Sequence, residues 1–192
     1  MPKLGMEPIR RAALIEATID EIGAVGSLDV TVSKIAKRAG MSSALAHHYF
    51  GGKNQIFLAA MRQTLTDYGA EVRAALIGAE TPQARAEAII RASFTSNNFR
   101  KEVIAAWLNF YVLAQTSQGA QRLLHIYQRR LHSNLCHALR PLLADRAGAV
   151  AGMLAALIDG IYLRRGLNDN AGLQGGAADE VIAVLTRELE AS

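Results

Sequence analysis

The residues best suited to chemistry in this chain are bases and histidines gathered in a stretch without acids. Between Asp29 and Asp67 the chain runs for 37 residues without a carboxylate side chain, although 17 acids among 192 residues would place about three there. The stretch carries Lys34, Lys37, Arg38, His47, His48, Lys53 and Arg62. Such a surface suits a polyanion, because each acid near a phosphate raises the electrostatic energy. The alternative is an alanine-rich helix pair that happens to lack acids.

The spacing within this stretch predicts two short helices joined by a glycine turn. Ile35 and Ala39 recur at helical spacing after Thr31, whose hydroxyl can cap the first free amides. Gly40 can adopt the left-handed conformation that ends a helix, and Ser42 can cap the next one. The outer side of that second helix carries Ser43, Ala44, His47 and His48, with Leu45 and Phe50 pointing inward. A helix-turn-helix of this length lays its second helix in a DNA major groove.

The elements around this unit are predicted to be helical throughout. Apolar residues recur at helical spacing almost everywhere and strand alternation never lasts, so we predict an all-α fold of about nine helices. After a first helix opened by Pro8 and a long helix from about 53 to 77, helices are expected at 82–96, 101–116, 119–139, 146–165 and 177–190. Gly119, Pro141 and the stretch 168–176 are expected to act as breaks.

The predicted elements divide the chain by role. We expect residues 1–52 to form a DNA-binding domain with the helix-turn-helix at 31–50, residues 53–80 to form a linker helix, and residues 81–192 to form a domain whose small-residue strip and aromatic helix face suggest dimerisation and effector binding. The boundary near residue 80 depends on Thr81-Pro82, a capping hydroxyl followed by proline at the first helical position.

Composition limits the class of protein. A hydrophobic content of 51% with 20% charged residues indicates a well-buried globular chain, and the net charge of +4 is only mildly basic. The single Cys136 permits no disulfide within one chain and fits a reducing compartment. The longest apolar run, 147–158, is shorter than the roughly 20 residues that span a bilayer, and the N-terminus does not resemble a secretory signal. We therefore expect a cytoplasmic protein.

Other arrangements that could do chemistry are weak. His47 and His48 are adjacent and point about 100° apart on a helix, while His125, His132 and His137 are seven and five residues apart, unlike a helical metal-ligand pair. No nucleophile, phosphate-loop or metalloenzyme motif occurs. The sequence thus predicts no enzyme, no cofactor and no metal, with these histidines solvated or in the core.

Two features of the C-terminal part predict further binding surfaces. Gly148, Gly152, Ala156 and Gly160 form a strip of small residues on one helix face. Such a strip allows close helix approach, either for dimerisation, which we favour, or for packing within the chain.

An aromatic helix face suggests a ligand cage. Trp107, Phe110 and Tyr111 share one face, and Phe94, Asp159 and Tyr162 complete a candidate ligand site. A quaternary ammonium cannot donate an N–H hydrogen bond, so its site uses ring faces helped by a carboxylate. For any one aromatic the alternative is ordinary core packing, and Asp159 could equally be an interfacial hydrogen-bonding residue.

The motif Thr31, Ile35, Ala36, Ala39, Gly40, Ser42, followed by His48, Tyr49, Phe50 and Lys53, resembles the TetR family of repressors. This resemblance implies a dimer that binds a palindromic operator in double-stranded DNA and is released by a small-molecule effector. For phosphate contacts we predict Thr31, Ser42, Tyr49 and Lys53, and for base edges Ser43, Ala44, His47 and His48.

Further segments, including Ala106-Trp107-Leu108 and Ser133-Asn134-Leu135, resemble the choline-responsive members of that family. Their likeness implies choline or betaine aldehyde as effector and genes of glycine betaine synthesis as targets. One position departs, since those relatives carry an acid where this chain has Thr95. The alternatives are a multidrug-type regulator that binds other lipophilic cations, and a helical scaffold with no DNA role.

Overall fold

The computed structural model describes residues 5–167 and 176–191, and within them the chain forms nine α-helices and no strand. The helices are α1 Met6–Val25, α2 Val32–Arg38, α3 Ser43–Phe50, α4 Lys53–Leu76, α5 Pro82–Ala92, α6 Lys101–Leu113, α7 Gln118–Leu143, α8 Ala147–Gly166 and α9 Ala177–Glu190, with a 3-10 turn at Ala144–Arg146. The predicted all-α class is confirmed. The break expected at 168–176 lies, apart from Gly176, outside the described residues.

One predicted break is wrong. Pro141 lies inside α7, which runs from Gln118 to Leu143, whereas the break expected at Gly119 is found just before it, between Leu113 and Gln118. Gly119 lies in the first turn, where the amides have no helical partner. Because it has no side chain, Leu58 can pack closely against it: the Leu58 Cδ1 atom would lie 2.8 Å from an added Cβ. Pro141 falls in the last turn, and the chain leaves the helix only at Ala144, whose φ is 46°. Proline near a helix end therefore does not stop the helix here.

The chain divides into two compact units that differ from the boundaries expected near residues 52 and 80. Unit 1 spans Met1–Leu65 and Arg100–Leu123, and unit 2 spans Thr66–Phe99 and Leu124–Ser192. The division passes through α4 and α7 and groups α6 with the helix-turn-helix. The boundaries drawn from sequence concern function and stay predictions.

Unit 1 is organised by the close crossing of α1 and α6. Gly23 permits it, because an added Cβ there would lie 2.6 Å from the Cα of Glu102. Arg100, just before α6, donates to Glu16 at 2.8 Å and to Asp20 at 3.3 Å on α1. Hydrogen bonds from Arg100 thus join the start of α6 to α1, beside this close crossing.

Unit 2 has an apolar core built by α5, α7, α8 and α9 with the second half of α4. Its fully buried members include Ile90, Leu135, Leu139, Leu154 and Leu185. The stretch Gln118–Gly166 contains a window whose length and mean hydropathy, 1.5, would suit a membrane-crossing helix, but the stretch consists of two helices, α7 and α8, separated by the 3-10 turn at Ala144–Arg146. The buried face of α8, which carries Val150, Leu154, Ile158 and Ile161, belongs to this core.

Candidate DNA-binding and effector sites

The helix-turn-helix forms as its sequence predicts. The Thr31 hydroxyl accepts a hydrogen bond from the Lys34 amide at 3.2 Å, and the Ser42 hydroxyl accepts one from the Leu45 amide at 3.2 Å. Gly40 lies between the two helices with φ at 67°, a left-handed conformation that favours glycine. Each helix start therefore carries a satisfied cap beside amides that can face an anion.

The exposed side of α3 carries the residues predicted to read bases. Ala44, His47 and His48 are exposed and Ser43 is partly buried, whereas Ala46 and Phe50 are buried. His47 Nδ1 lies 3.3 Å from the Gly51 carbonyl oxygen. Because a carbonyl only accepts, Nδ1 is the donor, which leaves Nε2 of the neutral ring as an acceptor toward solvent.

The bases of the stretch differ in their availability. Lys34 and Lys37 are exposed, and no carboxylate pairs with either of them in the described part of the chain. Arg38 donates to Glu21 at 2.5 Å, and this hydrogen bond raises the pKa of its guanidinium. The Lys53 ammonium lies 5.6 Å from the centre of the Phe57 ring at the start of α4. The two lysines of α2 are thus more accessible to phosphate than Arg38.

The candidate effector site in unit 2 is centred on Asp159 of α8. Tyr127 Oη donates to its carboxylate at 2.7 Å. Burial raises the pKa of the Asp159 carboxyl, and the Tyr127 hydrogen bond offsets part of that rise. No cationic side chain pairs with Asp159 among residues 5–167 and 176–191. A partly buried carboxylate without an internal cation is suited to a cationic ligand.

One aromatic pair meets Asp159 through Tyr127, and a second group includes Tyr162 on the same helix as Asp159. Tyr127 meets Tyr68 edge to face with ring centres 5.9 Å apart, and Tyr162, one helical turn beyond Asp159, meets Phe99 at 5.1 Å. Phe99 in turn stacks on Phe94 at 6.1 Å. We call this group the Asp159 cluster, and its members are Tyr68, Phe94, Phe99, Tyr127, Asp159 and Tyr162.

Hydroxyl contacts fix two further rings of the cluster, those of Tyr68 and Tyr162. Ser93 donates its one hydrogen to the Ile89 carbonyl at 3.0 Å, so the 3.0 Å contact between Tyr68 and Ser93 has Tyr68 as donor. Burial raises the pKa of Tyr68 to about 12, which keeps its hydroxyl protonated. Tyr162 donates to the Asn98 carbonyl at 2.8 Å. Both rings are therefore oriented before any ligand arrives.

Thr95 stands where the choline-responsive relatives carry an acid, and in the structure it contacts an acid of α4. Thr95 Oγ1 donates to the Glu71 carboxylate at 2.7 Å, and Asn97 and Asn98 donate to the same carboxylate at 3.1 and 3.2 Å. The segment that lacks the expected acid therefore binds a carboxylate supplied by α4. Through these three hydrogen bonds Glu71 fixes the segment between α5 and α6 to α4.

Sequence reasoning named only part of this site. Phe94, Asp159 and Tyr162 lie in the Asp159 cluster, whereas Trp107, Phe110 and Tyr111 belong to unit 1. There Trp107 meets Phe110 at 5.7 Å and Tyr111 at 5.9 Å, and Trp107 and Phe110 are buried. The residues missed were Tyr68, Glu71, Phe99 and Tyr127. No local spacing links them to Asp159, since they come from α4, α7 and the segment before α6.

The histidines of α7 form no metal cluster. His125, His132 and His137 line a shallow groove of about 520 Å³ with Arg129, Arg140 and Cys136. His132 Nε2 donates to the Gly148 carbonyl at 3.1 Å. Within the described residues no group of three or more histidine, cysteine or carboxylate side chains could hold a metal ion.

Comparison with known proteins identifies the class. The model described as bacterial regulatory proteins of the tetR family matches residues 14–60, and the model described as BetI-type transcriptional repressor, C-terminal, matches residues 82–192. The chain therefore belongs to the TetR family, in its BetI-type branch of transcriptional repressors. It is accordingly a DNA-binding regulator and not an enzyme, as the sequence predicted.

Individual relatives agree with that assignment. The chain is 54% identical over 172 residues to the HTH-type transcriptional regulator BetI of Brucella anthropi, covering 89% of each chain. It is 52% identical over 168 residues to BetI of Agrobacterium fabrum, covering 87% of this chain and 82% of the relative.

Solved structures share the fold. A transcriptional regulator from Pseudomonas aeruginosa superimposes with a TM-score of 0.84 at 25% identity, over 98% of this chain and 93% of that one. A regulator from Saccharomonospora viridis, solved in complex with choline, has a TM-score of 0.75 at 22% identity, over 94% and 95%.

Proposed function

We propose that this repressor is a homodimer released from operator DNA by a quaternary ammonium effector, choline or betaine aldehyde, and that it controls genes converting choline to glycine betaine. The observation that carries the effector class is Asp159, a partly buried carboxylate that Tyr127 contacts and that no cation pairs with among the described residues. Ring faces and one carboxylate bind a cation that cannot donate an N–H hydrogen bond. The names of the relatives and the choline complex of a structural neighbour agree with this proposal.

On DNA, we propose that α3 enters the major groove. Ala44, His47 and His48 meet base edges from its exposed side, with Ser43 beside them. Phosphates are held by Thr31, Ser42, Tyr49 and Lys53, which stand at helix starts or at the rim of α3.

For the effector we propose the Asp159 cluster as the binding site. Phe94, Asp159 and Tyr162 are retained from the sequence prediction, and Tyr68, Phe99 and Tyr127 are added by their contacts. A role for Trp107, Phe110 and Tyr111 stays a prediction, which a substitution of Trp107 tests. The bound effector must favour the DNA-incompetent state, with a coupling on the order of 1–3 kcal/mol.

Dimerisation is proposed through α8 and α9. The strip Gly148, Gly152, Ala156 and Gly160 lies on the less covered side of α8: an added Cβ on Gly148 or Gly160 would meet nothing within 4 Å, and Ala156 is exposed. Met153 beside the strip is 41% exposed. An uncovered apolar strip of small residues favours close approach by a second copy. Two α3 helices one DNA turn apart would then read a palindrome in the cytoplasm.

The test is fluorescence anisotropy of the protein on the DNA upstream of its own gene, with and without millimolar choline or betaine aldehyde. Release by either compound, and its loss in Asp159→Asn, is expected. Release only by tetraphenylphosphonium would favour a multidrug-type regulator, for which the absence of an acid at Thr95 is the motivating feature. No preference for upstream over random DNA would contradict the operator proposal.

A further inference from the structure

The second helix of the helix-turn-helix is too short to hold its own orientation. α3 has eight residues, and only Ala46 and Phe50 in it are buried. Isolated helices of this length are marginal in water, because nucleation is unfavourable and few hydrogen bonds repay it. Its direction must therefore be set by contacts from neighbouring elements, and at its C-terminal end a side chain of α1 supplies one of them.

Arg11 of α1 makes those contacts. Its Nη1 donates to the Tyr49 carbonyl oxygen at 2.7 Å, although the two residues are 38 positions apart. The guanidinium carbon lies 4.5 Å from the centre of the Phe50 ring and 5.9 Å from that of Tyr49. Glu7, one turn earlier on α1, lies 3.4 Å from the same nitrogen. Arg11 is thus bound to Glu7 of its own helix and to the C-terminal end of α3.

The chemistry of a guanidinium suits this position. The last carbonyls of a helix have no partner within it and carry a partial negative charge, so a cation that donates to them is favourable. α3 contains no lysine or arginine of its own, so Arg11 supplies that fixed charge. The planar group can also stack on an aromatic ring while it donates, which an ammonium does less well.

We propose that Arg11 is a positioning residue that fixes the C-terminal end of α3 against α1 and so sets the angle at which Ala44, His47 and His48 reach base edges. This inference rests on the proposed role of α3 in the major groove. Arg11 acts through α3 and needs no phosphate of its own. Its loss should reduce discrimination between sequences and leave the general attraction to DNA unchanged.

The experiment compares Arg11→Met, Arg11→Lys and Arg10→Met by fluorescence anisotropy on the upstream duplex and on a random duplex, across a series of salt concentrations. Arg10 is the matched control, because it is exposed and no hydrogen bond or ion pair engages it in the described structure. Arg11→Met should lower the ratio of upstream to random affinity about tenfold, within the range for one misread base pair. Arg11→Lys should give an intermediate ratio, and Arg10→Met the wild-type ratio.

The outcomes separate positioning from the other roles of an arginine. A log–log salt slope that flattens by about 1 in Arg11→Met would mean that Arg11 meets a phosphate, and would overturn the inference. An unchanged ratio accompanied only by a lower urea midpoint would reduce Arg11 to a stabilising residue. If the wild-type protein itself does not prefer the upstream duplex, the proposed operator function fails, and this inference fails with it.

Discussion

The surface of α2 and α3 that we propose to face DNA and the Asp159 cluster are built in opposite ways. The proposed DNA contacts fall within residues 31–53, and most are exposed side chains placed by two helix caps and one turn. The Asp159 cluster takes residues from α4, α7, α8 and the segment before α6. The first surface follows from local sequence, whereas the second exists only after packing. A change in one should therefore leave the other's function intact.

The largest expected effect tests which aromatic group belongs to the effector site. Trp107→Ala should lower the free energy of unfolding by about 3–5 kcal/mol, because Trp107 is buried with Phe110 in unit 1. Urea unfolding followed by circular dichroism measures this, with Trp107→Phe as the milder control. Full stability combined with a lost choline response would place Trp107 in the effector cage instead.

Asp159→Asn should separate effector response from DNA binding. Removing the carboxylate leaves a bound cation without its counter-ion, a loss of about 2–5 kcal/mol, or roughly 30-fold or more in effector affinity. Operator affinity without effector should stay at the wild-type value. Calorimetric titration with choline and anisotropy on DNA measure the two quantities. Wild-type choline affinity in this variant would remove Asp159 from the site.

Lys53→Ala should weaken DNA binding and leave effector binding unchanged. Loss of one phosphate contact should weaken binding to all DNA sequences alike and flatten the log–log salt slope by about 1. The choline affinity of the free protein should not change. Gln55→Ala, an exposed neutral neighbour on α4, serves as the control. A slope equal to that of the wild type would show that Lys53 does not meet phosphate.

The smallest expected effect concerns pH and Tyr127. Only the ionised Asp159 attracts a cation, so choline affinity should fall as pH is lowered through the pKa of that carboxyl, which burial raises above its usual range. Tyr127→Phe removes the hydrogen bond that lowers this pKa, so the fall should begin at higher pH. The same substitution should weaken choline binding by about 0.5–1.5 kcal/mol. Titrations at several pH values measure it, and an identical pH profile in Asp159→Asn would exclude Asp159 as the group responsible.

The absence of acids was a weaker signal than the turn that accompanies it. Residues 103–144 form a second stretch without a carboxylate, and it is longer than the one between Asp29 and Asp67. That stretch covers most of α6 and all of α7, whose apolar face enters the core of unit 2 through Leu131, Leu135 and Leu139. The absence of carboxylates alone would have predicted a DNA-binding surface in both regions. The caps at Thr31 and Ser42 and the turn at Gly40 distinguish the first.

Local sequence also predicts helix starts better than helix ends in this chain. Thr81 caps α5 as expected, accepting from the Ala84 amide at 3.1 Å, because capping depends on neighbours in the chain. The break expected at Pro141 does not occur, and α7 continues to Leu143. The apolar face of α7 stays buried on both sides of Pro141, with Leu139 and Leu143 in the core. That burial outweighs the one hydrogen bond that a proline removes.

By itself the sequence determined the helical class, the helix-turn-helix and the residues that α3 exposes. Each of these depends on caps, turn residues and periodicity within about 20 positions. Tertiary structure alone decided that Asp159 meets Tyr127, that Glu71 holds Thr95, and that Arg11 grips the end of α3. Those pairs lie 24 to 38 residues apart. Such contacts form only when packed helices bring distant side chains together, and no local pattern records which ones will meet.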